Sequence, residues 1–419
     1  MILSPIGRKM DAKSGLRSIM EDIAMSVVNA GSEPWINLSV GNPAPIPAVM
    51  SMWRQLTEQA VSTSFEMSSC GYGPSRGAPQ LVAAIADYFN GMYQWGIGPE
   101  NVVVGPGSQM LCFIAAAIFA GGSPDSRAIM PLTPDYTGYQ GLCLHADGVA
   151  GIEPVIQRVD DRSFRYALDE PAIERRDDIG MLLLSSPSNP AGRSLEPGEY
   201  KALVKISEHR DIPLLIDNAY GEPFPRIGEG RVPPQFSDTV INCFSVSKAG
   251  LPGERIGFAI APERYVSPMV SFMTNSMLHA SSLAQATVAI ALRSGRLDTL
   301  SSDVIAPFYA NRRQLAEELL AAALPTDINW RLHAGSGGMF SWLWIDEPWF
   351  SDMELYQRLK LRHVFIAPGR GFFLDAHQPP RASWHGTQCI RVSLSADEPS
   401  LAEGIRRIAA ALRELQAGQ

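Results

Sequence analysis

The feature that most constrains the fold of this chain is an alternation of short apolar runs with helical stretches between residues 100 and 261. The runs are rich in strand-forming residues, and each spans only a few positions: 102–104, 127–131, 181–184, 213–216, 241–244 and 257–261. Short apolar strands separated by helices are typical of a mainly parallel sheet that helices cover on both faces. The alternation therefore predicts an α/β fold.

Beyond about residue 292 the pattern changes, because a long amphipathic stretch over 298–323, interrupted near Pro307, replaces the short alternation. It is followed by a smaller set of strand and helix candidates, at 340–345, 353–361, 364–367, 389–394 and 399 onward. A chain of 419 residues is also too long for one ordinary core. We therefore predict three parts: an N-terminal segment, 1–44, that packs on the small domain; a large domain, 45–295; and a small α/β domain, 296–419.

Composition and charge exclude several classes of protein. Hydrophobic residues make up 46% of the chain and charged residues 19%, as in a folded globular protein. The longest apolar run, 111–120, is too short to span a bilayer, and the first residues lack a signal-peptide core, so no membrane partner is expected. The net charge of −8, without a basic cluster, argues against a nucleic-acid partner. Five cysteines without a CxxC pair and seven histidines without an HxxxH cluster predict no metal site and a reducing, cytoplasmic location.

Lys248 follows the apolar run 241–244, within the segment SVSKAGLPGER. Desolvation beside a buried strand lowers the pKa of a lysine and makes its amine a nucleophile toward carbonyl carbon. Ser245, Ser247 and Arg255 flank the lysine, and hydroxyls together with an arginine can cradle a phosphate. The segment therefore predicts an active-site lysine beside a phosphate. The alternative is an ordinary glycine-rich surface loop.

Asp217 and Tyr220 follow another apolar run, 213–216. A carboxylate at such a strand end can keep the nitrogen of a pyridine ring protonated, so that the ring acts as an electron sink. A phenol nearby can hydrogen-bond a hydroxyl group of the same ring. The alternative for Asp217 is a cap of the turn after the strand.

Two further features predict anion binding. Gly107, Ser108 and Gln109 begin a helix, where free N–H groups and the helix dipole bind phosphate, although Ser108 is a good N-cap in either case. Arg391 lies inside an apolar strand candidate and needs an acidic partner if it is buried. Its planar fork suits the carboxylate of a substrate, and the alternative is an internal ion pair.

Taken in order, these residues resemble the class I/II aminotransferases of pyridoxal 5′-phosphate (PLP) fold type I. The series that carries the resemblance is Tyr72, Gly107-Ser108-Gln109, Tyr136, Asn189-Pro190-x-Gly192, Asp217-x-x-Tyr220, Ser245-x-Ser247-Lys248, Arg255 and Arg391. The resemblance implies a large domain with a mainly parallel seven-stranded sheet and a smaller α/β domain. It also implies PLP bound to Lys248 as a Schiff base.

The resemblance further implies a role for each residue of the series. The catalytic residues would be Lys248, Asp217, which pairs with the ring nitrogen, and Tyr220, which bonds the ring hydroxyl together with Asn189. Tyr136 would stack on the ring. The phosphate of PLP would lie against Gly107, Ser108, Gln109, Ser245, Ser247 and Arg255. Tyr72 would reach the phosphate of a neighbouring subunit, so a homodimer is expected. The substrate would contact Arg391, Asn189, Gly41 and Asn42.

Within that family the chain is most similar to the valine–pyruvate branch, through the segments SGLRSIMEDI, GNPAPIP, DNAYGEPFP, SKAGLPGER, APFY, SWLWI and ELYQRLK. The similarity implies transfer of an amino group between a small or aliphatic amino acid, such as valine, alanine or 2-aminobutyrate, and a 2-oxo acid such as pyruvate. An apolar wall for the substrate side chain is available if the site is lined by Ile19, Met20, Val40, Ile46 and Pro47. The alternative for these residues is ordinary packing.

Two other functions remain open at this point. The same electron sink also serves a PLP-dependent lyase, cyclase or synthase of specialised amino-acid metabolism. A regulatory or ligand-binding domain on the same frame is the third possibility, although the presence of Lys248 argues against it.

Overall fold

A computed structural model describes residues 3–11, 21–23, 25–26, 34–123, 125–145, 147–228, 232–335, 337–374 and 385–418. Its strands, in chain order, are β1 (Ile36–Asn37), β2 (Val102–Gly105), β3 (Arg127–Met130), β4 (Val149–Gly151), β5 (Val155–Arg158), β6 (Ser163–Ala167), β7 (Ile179–Ser185), β8 (Leu214–Asp217), β9 (Val240–Ser245), β10 (Gly257–Ile260), β11 (Trp330–His333), β12 (Phe340–Ile345), β13 (Val364–Phe365), β14 (Ala367–Pro368) and β15 (Cys389–Ser393). The α-helices with both ends in these residues are α1 (Pro5–Asp11), α2 (Pro47–Ser69), α3 (Pro79–Tyr93), α4 (Ser108–Phe119), α5 (Glu170–Glu174), α6 (Pro197–Arg210), α7 (Glu263–Ser276), α8 (Ser282–Arg293), α9 (Arg296–Leu300), α10 (Ala306–Ala323), α11 (Asp352–Lys360) and α12 (Glu398–Ala417).

The first sheet has seven strands in the order β2-β10-β9-β8-β7-β3-β4. Strand β10 is antiparallel to both of its neighbours, and the other pairs are parallel. Helix α6 returns the chain from the end of β7 to the start of β8, and the central strands β8 and β9 are buried along their whole length. The predicted α/β fold with a mainly parallel seven-stranded sheet is confirmed.

The second sheet has six strands in the order β14-β15-β12-β11-β6-β5. Four of them come from the C-terminal part of the chain, but the hairpin β5–β6 comes from residues 155–167 and joins them through parallel pairing of β6 with β11. The predicted boundary at residue 295 therefore does not coincide with the division between the sheets. Strand β1, in the N-terminal segment, pairs with β13 of the C-terminal part in a separate two-stranded sheet.

Two helical predictions have different outcomes. The interruption expected near Pro307 is found, because α9 passes through a π-helical segment, Ser301–Ile305, before α10 begins with its proline in the first turn. The sequence pattern around 139–144 predicts a second helix, after the strand run 127–131, but the chain forms only a short 3-10 turn there, Thr137–Gly141. A Cβ at Gly138 would lie 2.3 Å from the ring of Tyr136, so this turn depends on a glycine that also weakens a helix. No described helix is long and apolar enough to cross a membrane.

Candidate active site

The candidate site is a cavity of about 540 Å³ at the edge of the first sheet, closed on its other side by residues of the second sheet. Parallel strands end at the same edge, and the register puts Ser185 beside Asp217 and Asp217 beside Cys243 at the ends of β7, β8 and β9. Loops that leave these ends carry Lys248 and Asn189 into the cavity wall. All of the predicted site residues line this cavity except Gly107 and Tyr72.

Lys248 lies inside the cavity, and its Nζ donates a hydrogen bond of 2.6 Å to the backbone carbonyl of Gly41. Burial lowers the pKa of its amine to about 8, helped by the positive charges of Arg391 and Arg255 and opposed by Asp217. The surface-loop alternative is therefore wrong for this lysine. At neutral pH part of the amine population is therefore unprotonated and can act as a nucleophile.

The lowered pKa predicts how Lys248 reacts with pH. Labelling of the ligand-free protein with formaldehyde and cyanoborohydride should rise as pH increases through about 8, because the neutral amine is the reactive form. A lysine in a short peptide, with an ordinary pKa of about 10.4, is the control and should not show this step. The labelled fraction of the Lys248 peptide is measured by mass spectrometry. A labelling midpoint at the peptide's value would contradict the prediction.

Asp217 presents one satisfied and one unsatisfied oxygen. Its Oδ2 accepts hydrogen bonds from the hydroxyl of Tyr139 at 2.9 Å and from the hydroxyl of Ser108 at 3.3 Å. Its Oδ1 is buried and makes no hydrogen bond. Burial raises the pKa of this carboxyl to about 6, while Tyr139, Ser108, the nearby amide of Ala219 and Lys248 lower it. A buried carboxylate oxygen without a donor marks a place where a ligand with an N–H group or a positive charge fits.

An anion cradle lies beside Lys248. The hydroxyl of Ser245 donates to that of Ser247 at 2.9 Å, and Arg255 donates to the same Ser247 oxygen at 3.3 Å. Helix α4 begins at Ser108 with no side chain capping its free N–H groups. Gly107 has a φ of +89° and packs closely against Arg255, since a Cβ at this position would lie 2.5 Å from Arg255 Nη2. Hydroxyls, an arginine and a helix N-terminus together suit a phosphate.

Arg391 is buried between the rings of Phe340 and Phe372, which lie 4.0 and 4.9 Å from its guanidinium carbon. It donates to Asn189 Oδ1 at 2.8 Å and to the carbonyl of Ser39, while its Nε has no partner. No carboxylate among the described residues pairs with it, so the internal ion pair is not found there. A buried cation with a free donor suits the carboxylate of a ligand.

The remaining predicted residues fall into two groups. Tyr136, Tyr220, Gln109 and Asn42 line the cavity, and Tyr220 accepts a hydrogen bond of 3.4 Å from Asn189 Nδ2. Tyr72 lies away from the cavity, and 89% of its surface is exposed.

The predicted apolar wall is largely wrong for the described residues. Val40 lines the cavity, whereas Ile46 and Pro47 do not. Ile19 and Met20 lie outside the described residues. Apolar lining comes instead from Ile23, Pro252, Ala367, Pro368 and Phe372.

Sequence reasoning missed several residues of the site. Tyr139 donates to Asp217, and its position three residues after Tyr136 in a glycine-containing turn is the only signal that could have indicated it. Phe340 and Phe372 are ordinary core residues in the sequence. The carbonyl of Ser39 carries no signal at all, because any residue type supplies one.

Comparisons with known proteins agree over nearly the whole chain. The family model for class I and II aminotransferases matches residues 33–408. Valine–pyruvate aminotransferase of Escherichia coli (strain K12) is 31% identical over 414 residues, which are 98% of this chain and 97% of that protein. Among solved structures, one from Psychrobacter arcticum 273-4 has a TM-score of 0.93 at 31% identity and covers 100% of both chains. Valine–pyruvate aminotransferase from Salmonella typhimurium LT2 has a TM-score of 0.85 at 30% identity, covering 97% of this chain and 100% of that one.

Proposed function

Because the chain belongs to the class I and II aminotransferases, which are PLP-dependent enzymes, we propose that it transfers an amino group between a small or aliphatic amino acid and a 2-oxo acid such as pyruvate. The proposed amino donors are valine, alanine and 2-aminobutyrate. The family match and the relatives named as aminotransferases support transaminase activity over the lyase, cyclase, synthase and regulatory alternatives. The choice of substrate draws on the relatives that are named for valine and pyruvate.

The observation that carries the substrate proposal is the small number of cations in the cavity. Among the described lining residues these are Lys248, Arg255 and Arg391. If Lys248 binds the cofactor and Arg255 its phosphate, only Arg391 of these three described cations remains for a substrate carboxylate. A second carboxylate, as in aspartate or glutamate, would then be buried without a partner at a high cost in free energy. The nearby Val40, Pro368 and Phe372 suit an aliphatic side chain instead.

The residues present fit PLP. The unpartnered Asp217 Oδ1 suits a protonated ring nitrogen, and the cradle beside Lys248 suits the phosphate. We propose that the cofactor is held by Lys248, Asp217, Tyr136, Asn189, Tyr220, Gly107, Ser108, Gln109, Ser245, Ser247 and Arg255. Gly41 and Asn42, at the cavity wall, would contact the substrate.

Bound PLP supplies an electron sink that makes the Cα–H bond of an amino acid acidic. The chain supplies the rest. Arg391 binds the α-carboxylate and so orients Cα, while the apolar rings of Phe340 and Phe372 keep water from the guanidinium. The amine of Lys248, with its lowered pKa, moves the proton at Cα. Asp217 supplies a buried negative charge that Tyr139 and Ser108 hold in place.

We further propose a cytoplasmic homodimer in which Tyr72 contacts the phosphate held by the neighbouring subunit. Tyr72 is exposed, as are the apolar Val61, Phe65 and Met67 on the preceding helix α2, which is the pattern of a surface that another chain covers. All five cysteines are free, and Cys70 alone among them is exposed, in keeping with a reducing compartment.

The experiment that tests the function is a panel of amino acids added to the holoenzyme. Alanine, 2-aminobutyrate and valine should each convert the cofactor to pyridoxamine phosphate, with overlapping efficiencies, because an apolar lining presents no polar group that would be left unpaired by any of the three. Aspartate and glutamate should react poorly. Cofactor absorbance gives the rates, and added pyruvate should restore the starting spectrum. A hundredfold preference for a dicarboxylic or cationic donor would overturn the substrate proposal.

A further inference from the structure

Asp135 is a buried carboxylate that the proposed mechanism does not use. Only 1% of its surface is exposed, and no cationic side chain of the described residues forms an ion pair with it. Three donors take the place of a cation: the N–H of Tyr136 at 2.7 Å, the N–H of Ser185 at 2.9 Å and the hydroxyl of Ser185. Burial raises its pKa to about 7, and the hydrogen bonds from Ser185 and Tyr136 oppose that shift. The two carboxylate oxygens of Asp135 can accept from all three donors. An asparagine at this position would instead point its NH₂ group, itself a donor, toward one of them.

The hydrogen bonds continue from Asp135 to the substrate-carboxylate site. Ser185 Oγ accepts from the N–H of Asn189 at 3.2 Å, and Asn189 Oδ1 accepts from Arg391 Nη1 at 2.8 Å. On the other side, the N–H of Asp135 donates to the carbonyl of Phe372 at 3.0 Å, and the Phe372 ring lies against the Arg391 guanidinium. Asp135 is thus linked by hydrogen bonds to both Asn189 and Phe372, which contact Arg391.

We propose that Asp135 is a positioning residue which, through Ser185 and Asn189, fixes the guanidinium of Arg391 for a substrate carboxylate. The inference rests on the proposed function of Arg391. A planar guanidinium binds a carboxylate well only when its plane is held, because a misplaced fork loses one of its two hydrogen bonds. The loops after β3 and β7 carry Asp135 and Asn189, and the hydroxyl of Ser185 is the contact that joins them.

The test uses holoenzyme and 3-methylbutanoate, the carbon skeleton of valine without its amino group. Ser185→Ala removes the hydroxyl that joins Asp135 to Asn189, and it should weaken binding of this acid by about tenfold, the loss typical of one hydrogen bond. The KM for the amino donor should rise by a similar factor, while kcat changes less than about threefold, since the proton transfer itself is untouched. Thr133→Val is the matched control. It deletes a buried hydrogen bond from the hydroxyl of Thr133 to the carbonyl of Ile152, in the loop that carries Asp135, and this bond leads away from the cavity.

Coupling to Arg391 separates positioning from a general structural role. In an Arg391→Lys background, Ser185→Ala should weaken binding by less than about twofold, because the fork it positions is gone. Asp135→Asn should reduce the affinity for the acid about as much as Ser185→Ala does. The double variant Asp135→Asn/Ser185→Ala should bind the acid no more weakly than Asp135→Asn alone. Suppose that Arg391→Lys weakens binding of the acid, as the proposed function requires. The inference is then overturned if Ser185→Ala reduces the affinity equally in both backgrounds, or if it causes no loss of affinity in the wild-type background. If Arg391→Lys leaves the affinity unchanged, the proposed function of Arg391 is wrong, and this inference fails with it.

Discussion

Replacing Lys248 with alanine should lower transaminase turnover by more than about a thousandfold, while the protein remains folded. The amine has two proposed tasks, carrying the cofactor and moving the proton at the substrate Cα, and general acid–base catalysis alone contributes about 10²–10⁴-fold. Its hydrogen bond to the carbonyl of Gly41, the one that it makes to described residues, is not part of a core network, so the fold should survive. Turnover is measured with alanine and pyruvate, and folding by thermal unfolding.

Two controls make this prediction specific. Lys201→Ala removes an exposed lysine from α6 and should leave turnover unchanged. Borohydride reduction of the wild-type holoenzyme, followed by peptide mass spectrometry, should find the cofactor attached to the peptide that contains Lys248. A Lys248→Ala protein that retained more than a few per cent of activity would show that another residue does this work.

Replacing Asp217 with alanine should lower turnover at least a hundredfold and weaken cofactor retention. In the proposed site the variant would leave a buried, positively charged ring nitrogen without its counter-charge, and breaking such a pair typically costs about 3–5 kcal/mol. The unpartnered Oδ1 is the atom whose loss matters here, because Oδ2 is already bonded to Tyr139 and Ser108. The dissociation constant of PLP, measured by titration of the apoenzyme, gives a readout apart from activity.

Asp217→Asn separates the proposed charge from a structural role. Asparagine caps turns as well as aspartate does, so a residue that only capped the turn would tolerate this change. A neutral amide cannot stabilise a protonated ring nitrogen, and we therefore expect Asp217→Asn to lose activity nearly as severely as Asp217→Ala. Normal turnover in the asparagine variant would establish the turn cap and remove Asp217 from the catalytic residues.

Local sequence was sufficient for six of the seven strands of the first sheet, all except β4, and for the residues at its edge. Strands such as β8 and β9 are short, apolar and buried on both faces, so their residue types predict them without reference to neighbours. Because parallel strands end at one edge, the polar residues after them, Asp217 and Lys248 among them, had to lie close together. The ordered series of motifs then identified the family.

Tertiary structure alone decided the contacts made between distant parts of the chain. The hairpin β5–β6 has no local signal for the sheet it joins, because its parallel pairing with β11 links residues far apart in sequence. Arg391 in an apolar strand was compatible with either an internal ion pair or a ligand. Its contacts with Asn189, Ser39 and two aromatic rings, instead of a described carboxylate, arise only in the fold.

The same distinction applies to Asp135. Its residue type and its place after β3 are readable, but an aspartate in a proline-containing loop is most often a turn residue. Its burial and its hydrogen bonds to Ser185 arise because β3 and β7 are neighbours in the sheet. Sequence by itself determined which side chains follow which strands, since hydrophobic burial and strand geometry act locally. Which of those side chains share hydrogen bonds depended on strand order, which is set by packing across the whole chain.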